Sequence, residues 1–138
     1  MKTSIKLFAL LLFFFTVRTK AQTVSDTLQY LKTNFELKKA NYIGKPFSRL
    51  LTDLKIQPTQ SWHITPFRKK YSVISTDFYF LKKGATYTNR TIVLSIYWQE
   101  EIPKSTVEIY ENKNGYLFTS DERTFYGNKI VKDIKVYR

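Results

Sequence analysis

Thr91-Ile92-Val93-Leu94-Ser95-Ile96-Tyr97-Trp98-Gln99 is the stretch on which the fold turns. In an extended chain Ile92, Leu94, Ile96 and Trp98 fall on one face, and Thr91, Val93, Ser95, Tyr97 and Gln99 fall on the other. Such period-two sorting describes a strand with one face in a core and one face at least partly wet. The rest of the chain is expected to pack against this strand or to extend its sheet.

Toward the N-terminus, Lys82 to Arg90 reads as the basic loop of a hairpin, carrying Tyr87, and Tyr71 to Leu81 as the strand that enters it. In that strand Ile74, Phe78 and Phe80 share a face with Ser72 and Thr76. Val73, Tyr79 and Leu81 share the other with Ser75 and Asp77, and the pattern leaves open which face is inward. Residues 57–70 are irregular, interrupted by Pro58 and Pro66, with Trp62-His63-Ile64 as a candidate short strand. A short helix is expected before them. Pro46 suits its first position, Phe47, Leu50, Leu51 and Leu54 form its apolar stripe, and Pro58 ends it. Residues 22–40 predict another helix, with Val24, Leu28, Leu31 and Phe35 on one face. Asp26 to Gln29 has capping-box form there, Ser25 competes as the cap, and Lys38 and Lys39 fall in the last turn.

Toward the C-terminus, Ser105-Thr106-Val107-Glu108 matches a capping box and Gly115 suits a helix end, so 104–113 predicts a short helix. Alternation of Val107 and Ile109 in a strand is the competing reading. Thr119 to Glu122 opens a further helical turn closed by Gly127. Ile130 to Tyr137 is a strand with Ile130, Ile134 and Val136 on one face, and Val131, Asp133, Lys135 and Tyr137 on the other. The order predicts an α+β fold: two N-terminal helices packed on one face of a mainly antiparallel three- to four-stranded sheet, with a short helical insertion before the last strand. The direction of that last strand stays open.

The chain has 138 residues, enough for one domain. Lys2 and Lys6, the apolar run Leu7 to Val17, and Thr19-Lys20-Ala21 describe a secretory signal peptide over 1–21, cleaved after Ala21. Eleven apolar residues would rise about 16 Å as a helix, too little for a hydrocarbon core of roughly 30 Å. The expected mature chain, 22–138, is a single domain without a transmembrane segment, secreted or periplasmic. Losing Lys2, Lys6, Arg18 and Lys20 takes the net charge from +12 to +8. The chain has no cysteine, which excludes disulfides, thiolate metal sites, thiol catalysis and a lipid-modified cysteine. Its stability must come from the core, to which 10 Tyr, 11 Phe and 2 Trp contribute large areas.

A basic balance points to anionic partners: acidic glycans, lipid head groups, polyanionic surfaces or nucleic acid. Export argues against nucleic acid as the main partner. His63 is the one histidine, without a second histidine or a neighbouring carboxylate to make a metal or catalytic site. Glu100 and Glu101 are adjacent, and neighbours in a strand point to opposite faces, which disfavours paired acid–base work on a glycoside. Glu108 and Glu111 would share a solvated helix face. No phosphate loop, Gly-x-Ser-x-Gly or His-Glu-x-x-His pattern occurs, and no cofactor or metal is expected. The suggestive constellation is the second face of the sheet, where Tyr79, Tyr97, Tyr137 and Lys135 would gather with Ser75, Asp77 and Asp133. Tyrosine is favoured at recognition surfaces because it combines rigid contact area with a hydroxyl. The basic residues Arg68, Lys69, Lys70, Lys82 and Lys83 flank the long strand and complete the candidate binding set.

Tyr42 to Leu51 and Phe125 to Ile134 resemble segments of small exported bacterial proteins, a resemblance that brings no catalytic residues with it. The order of two helices followed by a sheet is also similar to small periplasmic assembly and adaptor modules. Those are commonly lipid-anchored through a cysteine that this chain lacks. The expectation is an exported, non-enzymatic binding or adaptor module of the bacterial envelope. The competing readings are a small hydrolase of envelope polymers using Glu100, Glu101 or His63, and an inhibitor or immunity-type protein.

Overall fold

The computed structural model describes residues 24–138, so the expected leader over 1–21 and its cleavage after Ala21 lie outside the described residues. In chain order the main elements are α1 (Val24–Leu31), α2 (Phe47–Asp53), β1 (Gln60–Ile64), β2 (Ser72–Tyr79), β3 (Val93–Pro103), α3 (Lys104–Asn114), α4 (Ser120–Gly127) and β4 (Val131–Tyr137). The strands form one sheet in the order β1-β2-β3-β4, every neighbouring pair antiparallel. The fold is therefore α+β. Trp62-His63-Ile64 lies in the edge strand β1, which makes the sheet four-stranded, and β4 runs antiparallel to β3. The insertion before β4 consists of two helices.

Ile92, just before β3, and Leu94, Ile96, Trp98 and Ile102 within it all join one apolar cluster, while Glu100 is exposed where the register with β2 breaks. The cluster takes Leu31 and Phe35 from the N-terminal helical stretch, Phe47, Leu50, Leu51 and Leu54 from α2 and its end, Val107 from α3 and Tyr126 from α4. Phe47 packs 4.7 Å from the Phe78 ring and edge-on to Trp98, while Tyr126 stacks on Trp98 at 5.5 Å. Thr76 is the polar centre of this side; its hydroxyl accepts a hydrogen bond from Trp98 Nε1 at 3.0 Å.

Two residues depart from the alternation expected of them, and both departures are bulges. Val73 is fully buried in the same cluster as Phe78, although simple alternation puts them on opposite faces. Between the pairs Val73–Ile102 and Ser75–Tyr97, β3 carries three more residues than β2, which breaks the phase. Val131 likewise is buried rather than facing out with Asp133, because the pairs Tyr97–Asp133 and Trp98–Val131 leave Lys132 as an extra residue in β4.

Helix ends also differ in detail. The expected helix starts at Lys104, but the box at Ser105 is not formed: Pro103 is the N-cap of α3, with no side-chain cap. The box at Thr119 and Glu122 is formed in full, and Gly115 closes α3 in the left-handed region at φ 59°. Pro46 is the N-cap of α2 rather than its first helical residue. The first helix is α-helical only to Leu31; a wider turn over Lys32–Glu36 follows, with Leu37 N–H bonded to Lys32 O five residues back. Asp26 lies within its first turn, where a negative charge suits the dipole. Lys39 is engaged away from the helix axis, with its Nζ 2.6 Å from Asp133 on β4.

Backbone groups at both edges of the sheet have partners outside it. Val136 N–H of β4 donates to Glu36 Oε1 at 2.8 Å. On β1 Ser61 N–H donates to Tyr116 O, and just before it Thr59 O accepts from Phe118 N–H. These contacts cover edge positions that would otherwise invite another strand.

Candidate binding face

On the side of the sheet away from the cluster, strand register sets three cross-strand rows. Gln60, Tyr79, Val93 and Tyr137 form one, and Trp62, Asp77, Ser95 and Lys135 the next. Ile64, Ser75, Tyr97 and Asp133 form the third. The four residues proposed from alternation, Tyr79, Tyr97, Tyr137 and Lys135, thus share one face. Trp62 joins them at 48% exposure, a residue that alternation in so short a strand did not single out.

This face is not simply wet. Ser75, Asp77, Val93 and Ser95 are buried, although Val93 lies outside the apolar cluster. Tyr137 accounts for much of this. Its backbone sits on β4, yet its hydroxyl donates to Asp77 Oδ2 on β2 at 2.6 Å, so its side chain spans β3 above Val93 and Ser95. Tyr79 meets Tyr87 of the 80–92 loop edge-on at 5.4 Å, and Lys135 Nζ lies 4.9 Å from the centre of the Tyr97 ring. The other oxygen of Asp77, Oδ1, is buried and has no hydrogen-bond partner among the described residues. Leaving a buried acceptor unmet costs roughly 1–3 kcal/mol.

The phenols around Asp77 stay protonated well into the alkaline range. Burial, then the Asp77 charge and the neighbouring Tyr87, push Tyr79 from 10.0 up to about 12. Burial and the hydrogen bond to Asp77 raise Tyr137 further. Both therefore present O–H groups rather than phenolates across physiological pH. At the margin of the face Trp62 stacks flat on Tyr116, 4.5 Å between centres and 6° between planes. Tyr116 holds φ 63°, a left-handed conformation that costs an L-residue roughly 1–2 kcal/mol. The stack is one contact that offsets this.

The basic residues do not join that face as one surface. Arg68, Lys69 and Lys70 precede β2, and Lys82 and Lys83 follow it, so the clusters lie at opposite ends of an eight-residue strand, about 25 Å apart. Lys69 pairs with Glu101 at 2.6 Å, and that contact together with Ser72 holds the Glu101 carboxyl below its ordinary range. Glu100 and Glu101 are exposed on the irregular part of β3.

Sequence reasoning missed the partner of His63. Its Nδ1 lies 2.6 Å from Glu111 Oε1, with the two side chains only 13% and 11% exposed. Glu111 is therefore not on a solvated face. It follows the buried Val107 by one helical turn, a spacing that places the carboxylate inward and could have revealed it. Glu122 is also buried, held by Thr119 N–H and by Asn114 Nδ2 at 2.7 Å. Among the described residues no group of three His, Asp or Glu side chains comes together as a metal ion would need. In the same residues no helix is long and apolar enough to cross a membrane. No family model, curated protein or solved structure matches the chain.

Proposed function

We propose that the protein is an exported, non-enzymatic binding or adaptor module of the bacterial envelope. In this reading two N-terminal helices back one face of the sheet, and the opposite face contacts a protein or an anionic envelope component. The observation that carries it is the gathering of Trp62, Tyr79, Tyr97, Tyr137 and Lys135 on the face opposite the apolar cluster. Rigid aromatic area with hydroxyls and a cation is the composition of a recognition surface. An inhibitor or immunity-type role would use the same face with one dedicated partner. The hydrolase reading has less support: Glu101 is engaged by Lys69 and His63 by Glu111, in separate pairs.

The test is affinity capture from an envelope extract at low and moderate salt, with wild type, Tyr97→Ala and Lys83→Ala run side by side. The expected result is a partner held by wild type and Lys83→Ala and lost with Tyr97→Ala. No partner at either salt, or equal capture by wild type and Tyr97→Ala, counts against the reading.

A further inference from the structure

Phe67 is 100% exposed, at the start of the turn Phe67–Lys69 that links β1 to β2. Tyr71, four residues on, is 75% exposed, and Arg68, Lys69 and Lys70 between them are exposed as well. The turn is a built element: Pro66 leads into it, Lys69 N–H bonds back to Pro66 O at 3.0 Å, and the Lys69–Glu101 ion pair ties it to β3. Only Lys69 of the three cations has a carboxylate partner among the described residues. Lys70 Nζ instead lies 5.2 Å from the centre of the Tyr71 ring. A hollow of about 610 Å³ beside the turn is lined by these residues with Ser72 and Glu101.

A single exposed apolar residue needs no explanation. Here a fully exposed ring, a second aromatic and three cations occupy five successive positions. A protein partner would ordinarily require about 800 Å² of matching surface from each side, more than one projecting turn supplies. A bilayer boundary asks for less. It accepts an apolar ring, keeps Tyr at headgroup level and draws Lys and Arg to anionic headgroups.

We propose that the Phe67–Tyr71 turn docks the protein on an anionic lipid bilayer. Phe67 enters the boundary between headgroups and acyl chains, and Arg68 and Lys70 pair with lipid phosphates. Lys69 holds the turn through Glu101. The inference rests on the turn alone, so it stands or falls apart from the role of the sheet face.

The cysteine-free sequence makes a position-resolved test available. Phe67→Cys and, at the opposite end of β2, Ala85→Cys are each labelled with an apolar, environment-sensitive fluorophore in the full-length chain. They are then titrated with phosphatidylglycerol-containing vesicles and with phosphatidylcholine vesicles. A local probe is needed because the apolar run Leu7 to Val17 could itself hold the chain on lipid. The expected result is a blue shift at position 67 with anionic vesicles, none with zwitterionic vesicles and none at position 85. Adding Arg68→Glu and Lys70→Glu should weaken the transition by 25-fold or more, at about five-fold for each cation lost. Both sites are exposed, and circular dichroism checks that the variants fold. No shift with anionic vesicles, equal shifts at 67 and 85, or a shift that survives charge reversal would each overturn the proposal. So would an unchanged probe on vesicles together with a response to a soluble polyanion such as heparin, which would move the site to glycan binding.

Discussion

On the helix side of the sheet Phe78, Leu94, Ile96 and Ile134 are buried by other apolar side chains, with Thr76 accepting the Trp98 N–H at the centre. On the far side Ser75, Asp77 and Ser95 are buried with Val93 beneath tyrosines, and Tyr137 itself remains 44% exposed. The first side conforms to a close-packed interior, in which removing atoms leaves a cavity. The second is a thin polar layer roofed by side chains that are themselves half in solvent. Stability is expected to concentrate on the first side, and the capacity to exchange one contact for another on the second.

The comparison breaks most easily at its strong end. Phe78→Ala should destabilise the protein by about 3–5 kcal/mol, because that ring touches Phe47, Phe118, Trp98 and Tyr126. Urea unfolding followed by Trp fluorescence measures it; a loss of about 1 kcal/mol would mean the helix side is loosely packed. Tyr137→Phe should cost less, about 1.5–3 kcal/mol, as one hydrogen bond to a carboxylate is removed and Asp77 is left without its donor. In the double variant Tyr137→Phe with Asp77→Asn the two losses should fall short of additivity, since both remove the same contact. Additive losses would show that Tyr137 acts as a roof alone.

The same contrast explains what the sequence made legible. The inward side of β3 could be read because Ile92, Leu94, Ile96 and Trp98 alternate without a break into the apolar cluster. Val73 and Val131 could not be placed by alternation, since each lies beyond a register shift, on the neighbouring strand for Val73 and on its own strand for Val131, and nothing local announces a bulge. On the candidate face Tyr79, Tyr97, Tyr137 and Lys135 were placed by parity. The burial of Asp77 was not, because it depends on a tyrosine reaching from two strands away. The His63–Glu111 pair spans 48 positions in sequence and needs the packing of α3 to bring it together. The strength of the Thr119 box over the Ser105 one follows from the carboxylate: Glu122 is buried and fully bonded, whereas Glu108 pairs with Lys104.

A gentler probe of the far side is its titration. With its pKa raised from 10.0 to about 12, Tyr79 contributes stability that is whole below pH 10 and is lost as the pH climbs through about 12. Wild type should therefore lose more stability between pH 9 and pH 11 than Tyr79→Phe, measured by urea unfolding at each pH. Asp77→Asn should bring the Tyr79 transition part of the way back toward 10.0 in a 295 nm absorbance titration. It should not restore it fully, because burial is the larger cause. A transition unmoved by Asp77→Asn would mean that burial alone sets it.

The smallest effect on stability is expected at Lys135, which separates holding the fold from meeting a partner. Its ammonium lies over the Tyr97 ring at an exposed position, a contact worth about 0.5–1 kcal/mol. Lys135→Ala should thus shift the urea midpoint only slightly, while Lys135→Glu adds a like charge to a face that already carries Asp77 and Asp133. If the far side recognises an anionic surface, Lys135→Glu should abolish capture at low salt and Lys135→Ala should weaken it. Charge governs encounter and specificity there more than it governs folding. If both variants bind as wild type does while Tyr97→Ala does not, recognition runs through the aromatic rings and the partner is a protein surface rather than a polyanion.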